Sequence, residues 1–308
     1  MVSQVQLFAQ VVELPDPQAQ ERFAALVGID DVKDRLVTEA AVLLDPGIVD
    51  RWSSKHYKHV TRAAKEVSQR TPLVVLAGDV GTGKTEVAET FGDAVARTMK
   101  VGITLYPLSL SARGKGAVGE MTTLLSDAFA QVHASASSAR DSNGKVTRGV
   151  ILLIDEADAL AQSRELAQMH HEDRAGVNAL VRGIDELRDN RLPVLTVMCT
   201  NRLDALDPAV IRRAAAVLPF TRPNDEQRHQ LLESLLDGLS INGAEVDKLV
   251  ALTGANADRP YGCTYSDIRQ RLIPDAVLAS VREDVKLNGG QLIARAEMFQ
   301  PTQPFGNR

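Results

Sequence analysis

The chain has 308 residues, 44% hydrophobic and 24% charged, so it can bury a sizeable core and is neither a disordered nor a fibrous sequence. Its 35 Lys and Arg against 40 Asp and Glu give a net charge of -5, which argues against a basic nucleic-acid-binding footprint. No apolar run approaches the ~20 residues of a membrane span, and two distant cysteines, Cys199 and Cys263, suit buried thiols in a reducing compartment.

The opening MVSQVQLFAQ lacks the basic start and long apolar core of a secretory leader, so a cytoplasmic protein is expected. Residues 1–22, polar and interrupted by Pro15 and Pro17, read as an arm. From Phe23 a turn at Val27-Gly28-Ile29 leads to a helical pattern capped by Asp30 or Asp31 and ended by Asp45-Pro46-Gly47. Residues 50–71 are basic and polar, in the manner of a solvated helix face.

The stretch 73–90, LVVLAGDVGTGKTEVAET, is the strongest signal in the chain. An apolar strand turns through Gly78-Asp79-Val80-Gly81-Thr82-Gly83-Lys84-Thr85 into a helix, the G-x-x-x-x-G-K-[ST] phosphate loop in its required context. Glycines let successive backbone N–H groups point at phosphate oxygens, and the helix N-terminus adds partial positive charge. Lys84 is placed to reach the β- and γ-phosphates, and the Thr85 hydroxyl to ligate Mg2+. The nucleotide-binding set expected here is Asp79, Val80, Gly81, Thr82, Gly83, Lys84, Thr85 and Glu86.

Residues 101–110 read as a second strand, followed by the glycine-rich loop SARGKGAVGEM. A helix over 121–134 and a polar loop with an Asn-Gly turn over 135–149 come next. GVILLIDEADAL then forms a buried parallel-type strand that delivers Asp155 and Glu156 at its C-terminal end, where ligands bind in open α/β sheets. Asp155 suits Mg2+, and Glu156 suits activation of water. LPVLTVMCTN is a further buried strand, ending in Asn201, whose amide can hold water without taking its proton. Asp207-Pro208 starts a short helix carrying Arg212 and Arg213. Beyond Pro223 the sequence reads all-helical, with helices over DEQRHQLLESLLDGL, near 244–253, and over SDIRQRLIPDAVLAS. The expectation is a parallel-sheet α/β domain over 23–222 and a C-terminal all-helical lid over 223–308.

GDVGTGKT, LLIDE, CTN and LDPAVIRR, in that order and spacing, resemble an AAA+ ATPase over almost the whole chain. The resemblance implies an ATP hydrolase using ATP and Mg2+, built as a homo-oligomeric ring, commonly a hexamer. It makes Lys84 and Thr85 the Walker A pair, Asp155 and Glu156 the Walker B pair, and Asn201 sensor 1. Val27 and Gly28 would touch adenine. Arg212 falls at the first arginine-finger position, while the second holds Ala215, so the trans-acting role rests on Arg212, Arg213 or both. Sensor 2 falls on Arg269 or Arg271, the Gly-Arg pair of the family being absent, and Arg269 is taken.

DRAGVNALVRGIDEL, CTN and VIRRAAAVLPFTRP most resemble the pachytene-checkpoint ATPases that remodel HORMA-domain proteins. The small bacterial branch, in antiphage (CBASS) operons, lacks the adaptor-binding N-terminal domain. Its members imply remodelling of a HORMA-domain partner, while the acidic balance and the lack of a long apolar run lead to the expectation of no nucleic acid and no membrane. The first pore loop departs from the usual aromatic pattern, with Ala117, Val118 and Gly119 in place of an aromatic-aliphatic-glycine triplet, so its grip on a substrate is expected to be weak. His170-His171-Glu172-Asp173 reads as a second pore-facing loop rather than a metal cluster. The rival readings are a nucleic-acid clamp or helicase loader, which the acidic balance disfavours, and an unfoldase feeding a protease, which Ala117 disfavours.

Overall fold

A computed structural model describes residues 7–110, 120–160, 170–257 and 259–305. The apolar runs read from the sequence become the central strands of a mostly parallel sheet. β2 (Leu73–Gly78), β3 (Gly102–Ser109), β4 (Arg148–Asp155) and β5 (Val194–Thr200) have backbones buried on both faces. β3, β4, β5 and β2 pair in parallel in that order. Among the described residues two further strands complete the order β1-β3-β4-β5-β2-β6. Parallel strands need crossovers, and helices α5 (Lys84–Met99), α6 (Glu120–Ala136) and α7 (His170–Asp189) supply them.

Both outer strands escaped the sequence reading. β1 (Val12–Leu14) pairs antiparallel with β3, Val12 opposite Leu105 and Leu14 opposite Ile103. Residues expected to form a separate arm are therefore part of the sheet. Phe8 is buried with its ring 4.9 Å from that of Tyr106, and α1 (Pro17–Ala24) follows. At the other edge β6 (Ala216–Phe220) buries Ala216, Leu218 and Phe220 and exposes Pro219. A proline donates no ladder hydrogen bond, which an edge strand tolerates.

By its contacts the chain divides into two compact units. The larger comprises the chain up to Phe23, Asp31–Ala77 and Thr85–Pro219. It holds nearly all of the sheet, the crossover helices, α2 (Asp30–Leu44), α3 (Gly47–Tyr57), α4 (Arg62–Ser68) and α8 (Pro208–Ile211). The basic stretch after Pro46 is thus two helices, α4 being capped by the Thr61 hydroxyl, which accepts from Ala64 N–H at 3.2 Å.

The smaller unit comprises Ala24–Asp30, Gly78–Lys84 and the chain from Phe220 on. Its helices are α9 (Asp225–Leu236), α10 (Gly243–Thr253), α11 (Ile273–Glu283) and α12 (Gly289–Met298), around a core that includes Leu231, Leu232, Leu249, Ile268, Leu272 and Leu292. Three of these helices begin with a reciprocal capping box, Asn224 with Gln227, Asn242 with Glu245 and Asn288 with Gln291. Each satisfies two otherwise orphaned N–H groups, and losing such a cap costs about 0.5–2 kcal/mol. The segment expected as one helix over SDIRQRLIPDAVLAS is a π-helix, Asp267–Leu272, continued by α11. Pro274 in the first turn of α11 lacks an N–H, so the hydrogen-bond ladder is interrupted there. Both cysteines are buried thiols, and burial pushes that of Cys263 up to about 11. No described helix is long and apolar enough to cross a membrane.

Candidate active site

In the smaller unit the phosphate loop is shaped by two close approaches. A Cβ on Gly78 would lie 1.8 Å from the Phe220 carbonyl oxygen, so only glycine fits where β2 ends. Gly81 has φ +73, and a Cβ there would lie 2.7 Å from Thr264 Oγ1. The Gly81 carbonyl accepts from Ser266 N–H at 3.0 Å. Buried Thr82 donates its hydroxyl to Asp79 O at 2.8 Å. Lys84 is buried too, its ammonium donating to Gly78 O at 2.9 Å and to Asp79 O at 2.7 Å.

Asp79 is the hub of this loop. Its carboxylate accepts from Val80 N–H at 2.8 Å, from Arg222 Nε at 2.7 Å and from Phe305 N–H at 3.2 Å. Arg222, which the sequence reading passed over, also donates to Gly262 O at 2.6 Å and lies over the Tyr261 ring. Gly28 belongs to the same unit, and its carbonyl accepts from Gln227 Nε2 at 2.6 Å. Val27 beside it is half-buried. The hydroxyl of buried Tyr265 lies 3.3 Å from where a Gly28 Cβ would be. Arg269 donates to Ala25 O at 2.9 Å, on the approach to Val27 and Gly28. Arg271 is committed to Asp267 at 2.8 Å and to the tail at Thr302.

In the larger unit α5 continues from Thr85, whose hydroxyl bonds the Asp155 carboxylate. Asp155 also accepts from Glu156 N–H at 2.8 Å. Burial of this carboxylate raises its pKa above the ordinary value, against the pull of those two hydrogen bonds. A desolvated carboxylate beside a hydroxyl is a hard oxygen donor set that fits Mg2+. Glu156 has φ +55, a left-handed conformation uncommon for a residue with a Cβ, and it is exposed. Backbone strain of this kind costs of order 1–3 kcal/mol and gathers at active sites. Three residues after Asp155, Asp158 accepts from the Thr200 hydroxyl, from Asn201 N–H at 2.9 Å and from Asn201 Nδ2 at 3.0 Å. The structure thus ties the segment after β4 to the tip of β5 through a residue that sequence reasoning missed. Its spacing within IDEAD was the available signal.

Residues 74–222 match the model of the ATPase family associated with various cellular activities (AAA). CD-NTase-associated protein 6 of Escherichia coli strain MS 115-1 is 56% identical over 275 residues, 89% of this chain and 88% of that protein. The chain belongs to the AAA ATPases. Among solved structures, this AAA ATPase is similar to a chain in the Escherichia coli MS115-1 HORMA:CdnC:Trip13 complex, with TM-score 0.89 and 52% identity over 97% of each chain. It is also similar to Rhizobiales Trip13, with TM-score 0.77 and 42% identity over 96% of this chain and all of that one (100%). Within the AAA ATPases it falls with the Trip13-type proteins.

The remaining residues expected of such an ATPase divide in an informative way. α8 of the AAA ATPase is a single turn, capped by Asp207, whose carboxylate accepts from Ala209 N–H at 2.7 Å. Arg212 and Arg213 therefore sit past the helix end rather than on it. Arg213 is held within the chain, donating to Asp185 at 3.1 and 3.0 Å and to Ala209 O at 3.0 Å. Arg212 is exposed. The Glu86 carboxylate is taken up by Arg22, at 2.8 and 2.9 Å. Ala117, Val118 and Gly119 lie outside the described residues, and residues 170–173, expected as a loop, are the first turn of α7, with side chains outside the described ones.

Proposed function

We propose that this ATPase hydrolyses Mg-ATP to remodel or disassemble a HORMA-domain protein partner within a bacterial antiphage signalling system, acting as a cytoplasmic ring, commonly a hexamer. The observation that carries this reading is the end-to-end similarity to a chain solved in a HORMA:CdnC:Trip13 complex. In this reading residues 23–222 form the ATPase domain and 223–308 its lid.

The chemistry is in-line attack of water on the γ-phosphate. The backbone from Asp79 to Glu86 lies along the phosphates, and the Lys84 ammonium moves from the loop carbonyls to phosphate oxygens. Val27 and Gly28 flank the adenine, and Arg269 serves as sensor 2. Thr85 and Asp155 would hold Mg2+, which neutralises charge developing on the phosphates. Bringing a cation to Asp155 also relieves the cost of its buried charge. Glu156 orients or deprotonates the water, and Asn201 helps to hold it. Arg212 is the arginine that reaches the γ-phosphate of a neighbouring subunit, because Arg213 is occupied by Asp185. The Ala117-Val118-Gly119 loop contacts the partner chain.

The test is ATP-driven release of a purified HORMA-domain partner, with turnover measured on the same preparations. Glu156→Gln should retain ATP, trap the partner, and lower turnover by about 10²–10⁴-fold. Arg212→Ala and Lys84→Ala proteins should each be nearly inactive and regain activity when mixed, since some interfaces then pair an intact phosphate loop with an intact arginine. Turnover without any change in the partner would remove the remodelling reading.

A further inference from the structure

In the proposed mechanism Asp155 and Glu156 account for the metal and the water, yet a third carboxylate at this end of the larger unit, Asp158, gathers several donors. It accepts from the Thr200 hydroxyl, from Asn201 N–H at 2.9 Å, from Asn201 Nδ2 at 3.0 Å and from Arg202 N–H at 3.2 Å. Thr200 is itself 1% exposed, so its hydroxyl depends on this partner and on the Arg202 N–H it accepts at 3.0 Å. Asp158 fastens the tip of β5 to the segment after β4.

The chemistry of that side chain fixes more than position. An ionised carboxylate only accepts hydrogen bonds, whereas a side-chain amide has one donating and one accepting end. The end of Asn201 that faces Asp158 must therefore be its NH2 group. Its Oδ1 is then the end left to act on something else. Were the amide turned the other way, two acceptors would face each other at 3.0 Å without a proton between them.

We propose that Asp158 is a positioning residue for ATP hydrolysis, holding the Thr200–Arg202 turn and orienting the Asn201 amide so that Oδ1 accepts a proton of the attacking water. Asn201 then works as an acceptor beside Glu156 rather than as a donor to the γ-phosphate. The inference rests on the ATP-hydrolysis reading. It predicts a defect in the chemical step and not in nucleotide binding, because neither Asp158 nor Asn201 is used to hold the ground-state phosphates.

Asp158→Asn keeps the shape but offers one acceptor oxygen, and its own NH2 group permits the Asn201 amide to turn over. Outer partners that orient a reacting group commonly carry about 10–100-fold of activity. The kcat of Asp158→Asn should fall by that factor while KM for ATP and the Kd of a fluorescent ADP analogue stay within about 3-fold. Exchanging the pair, Asp158→Asn with Asn201→Asp, restores a donor facing an acceptor and keeps an acceptor for the water. The exchanged protein should turn over ATP faster than either single variant. Where Asp158→Asn is too unstable to assay, Asn201→Asp supplies the single-variant baseline, since it sets two carboxylates against each other and the added Asp158→Asn relieves them. Wild-type kcat in Asp158→Asn overturns the proposal, as does an equal loss of kcat and ADP affinity. An exchanged protein no better than its parents does the same. A wild-type protein with no ATP turnover would instead remove the underlying reading, so the two failures are distinguishable.

Discussion

Two carboxylates in this chain, the half-buried Asp155 in the larger unit and the buried Asp267 in the smaller, both lose solvation on folding, with opposite results. Asp155 has two hydrogen-bond donors, Glu156 N–H and the Thr85 hydroxyl, and burial leaves its pKa above the usual value. Burial acts on Asp267 as well, but its carboxylate accepts from Thr264 N–H, Thr302 N–H, the Thr302 hydroxyl and Arg271. The bonds from Thr264 and Thr302 bring its pKa below the usual value. On Asp267 the hydrogen bonds outweigh desolvation, whereas on Asp155 they do not, with the negative charges of Glu156 and Glu89 adding to the cost of burial.

The largest expected effect tests the first half of that contrast. Asp155→Asn should lower ATP turnover by about 10²–10³-fold, the scale of losing one electrostatic contact to the transition state. Turnover and Mg2+ dependence measured by phosphate release decide it, and near-normal hydrolysis would show that Asp155 is not a metal ligand. Asp267→Ala should instead act on stability. It strands the Thr264 and Thr302 amides, and unsatisfied buried groups cost about 1–3 kcal/mol each, so a loss of about 3 kcal/mol is expected in urea unfolding.

The two carboxylates should also differ in the sign of their pH dependence. Asp267 has a lowered folded value, so its contribution is complete above the unfolded value of about 3.9 and is lost as pH falls through the folded one. The stability gap between wild type and Asp267→Ala should therefore close in acid, below about pH 4. Asp155 has a raised folded value, so the folded protein binds that proton more tightly and gains stability as pH falls through it. Asp155→Asn should accordingly stabilise the nucleotide-free protein at neutral pH, a common exchange of activity for stability. A destabilised Asp155→Asn would break the comparison. Smallest of all, Arg22→Ala removes an exposed ion pair with Glu86 and Glu89, so a change under about 1 kcal/mol is expected by the same urea measurement.

What could be read in advance follows from where each signal resides. The phosphate loop and the strands ending at Asp155 and Thr200 were legible because their chemistry is local, a fixed spacing joined to an apolar run. β1 and β6 were not, since three residues beside Pro15 and five containing Pro219 become strands only by pairing with neighbours distant in sequence. The capping boxes of α9, α10 and α12 went unread, although each is a local spacing, Asn followed three residues later by Gln or Glu. That Arg213 is held within the chain, the ground for proposing Arg212 as the trans-acting arginine, depends on Asp185, 28 residues away. Asp158 and Arg222 likewise show their importance only through partners, 43 and 143 residues away respectively.

The burial of both thiols has a practical consequence. A cysteine reacts as its thiolate, and Cys263 is held protonated while both sulfurs are shielded from solvent. A maleimide dye offered at neutral pH should pass over the native chain. Ser126→Cys on α6 and Ser240→Cys after α9 are exposed positions, one in each unit. Labelled in the otherwise native sequence, that pair would let fluorescence transfer follow the two units of a single chain through a turnover cycle.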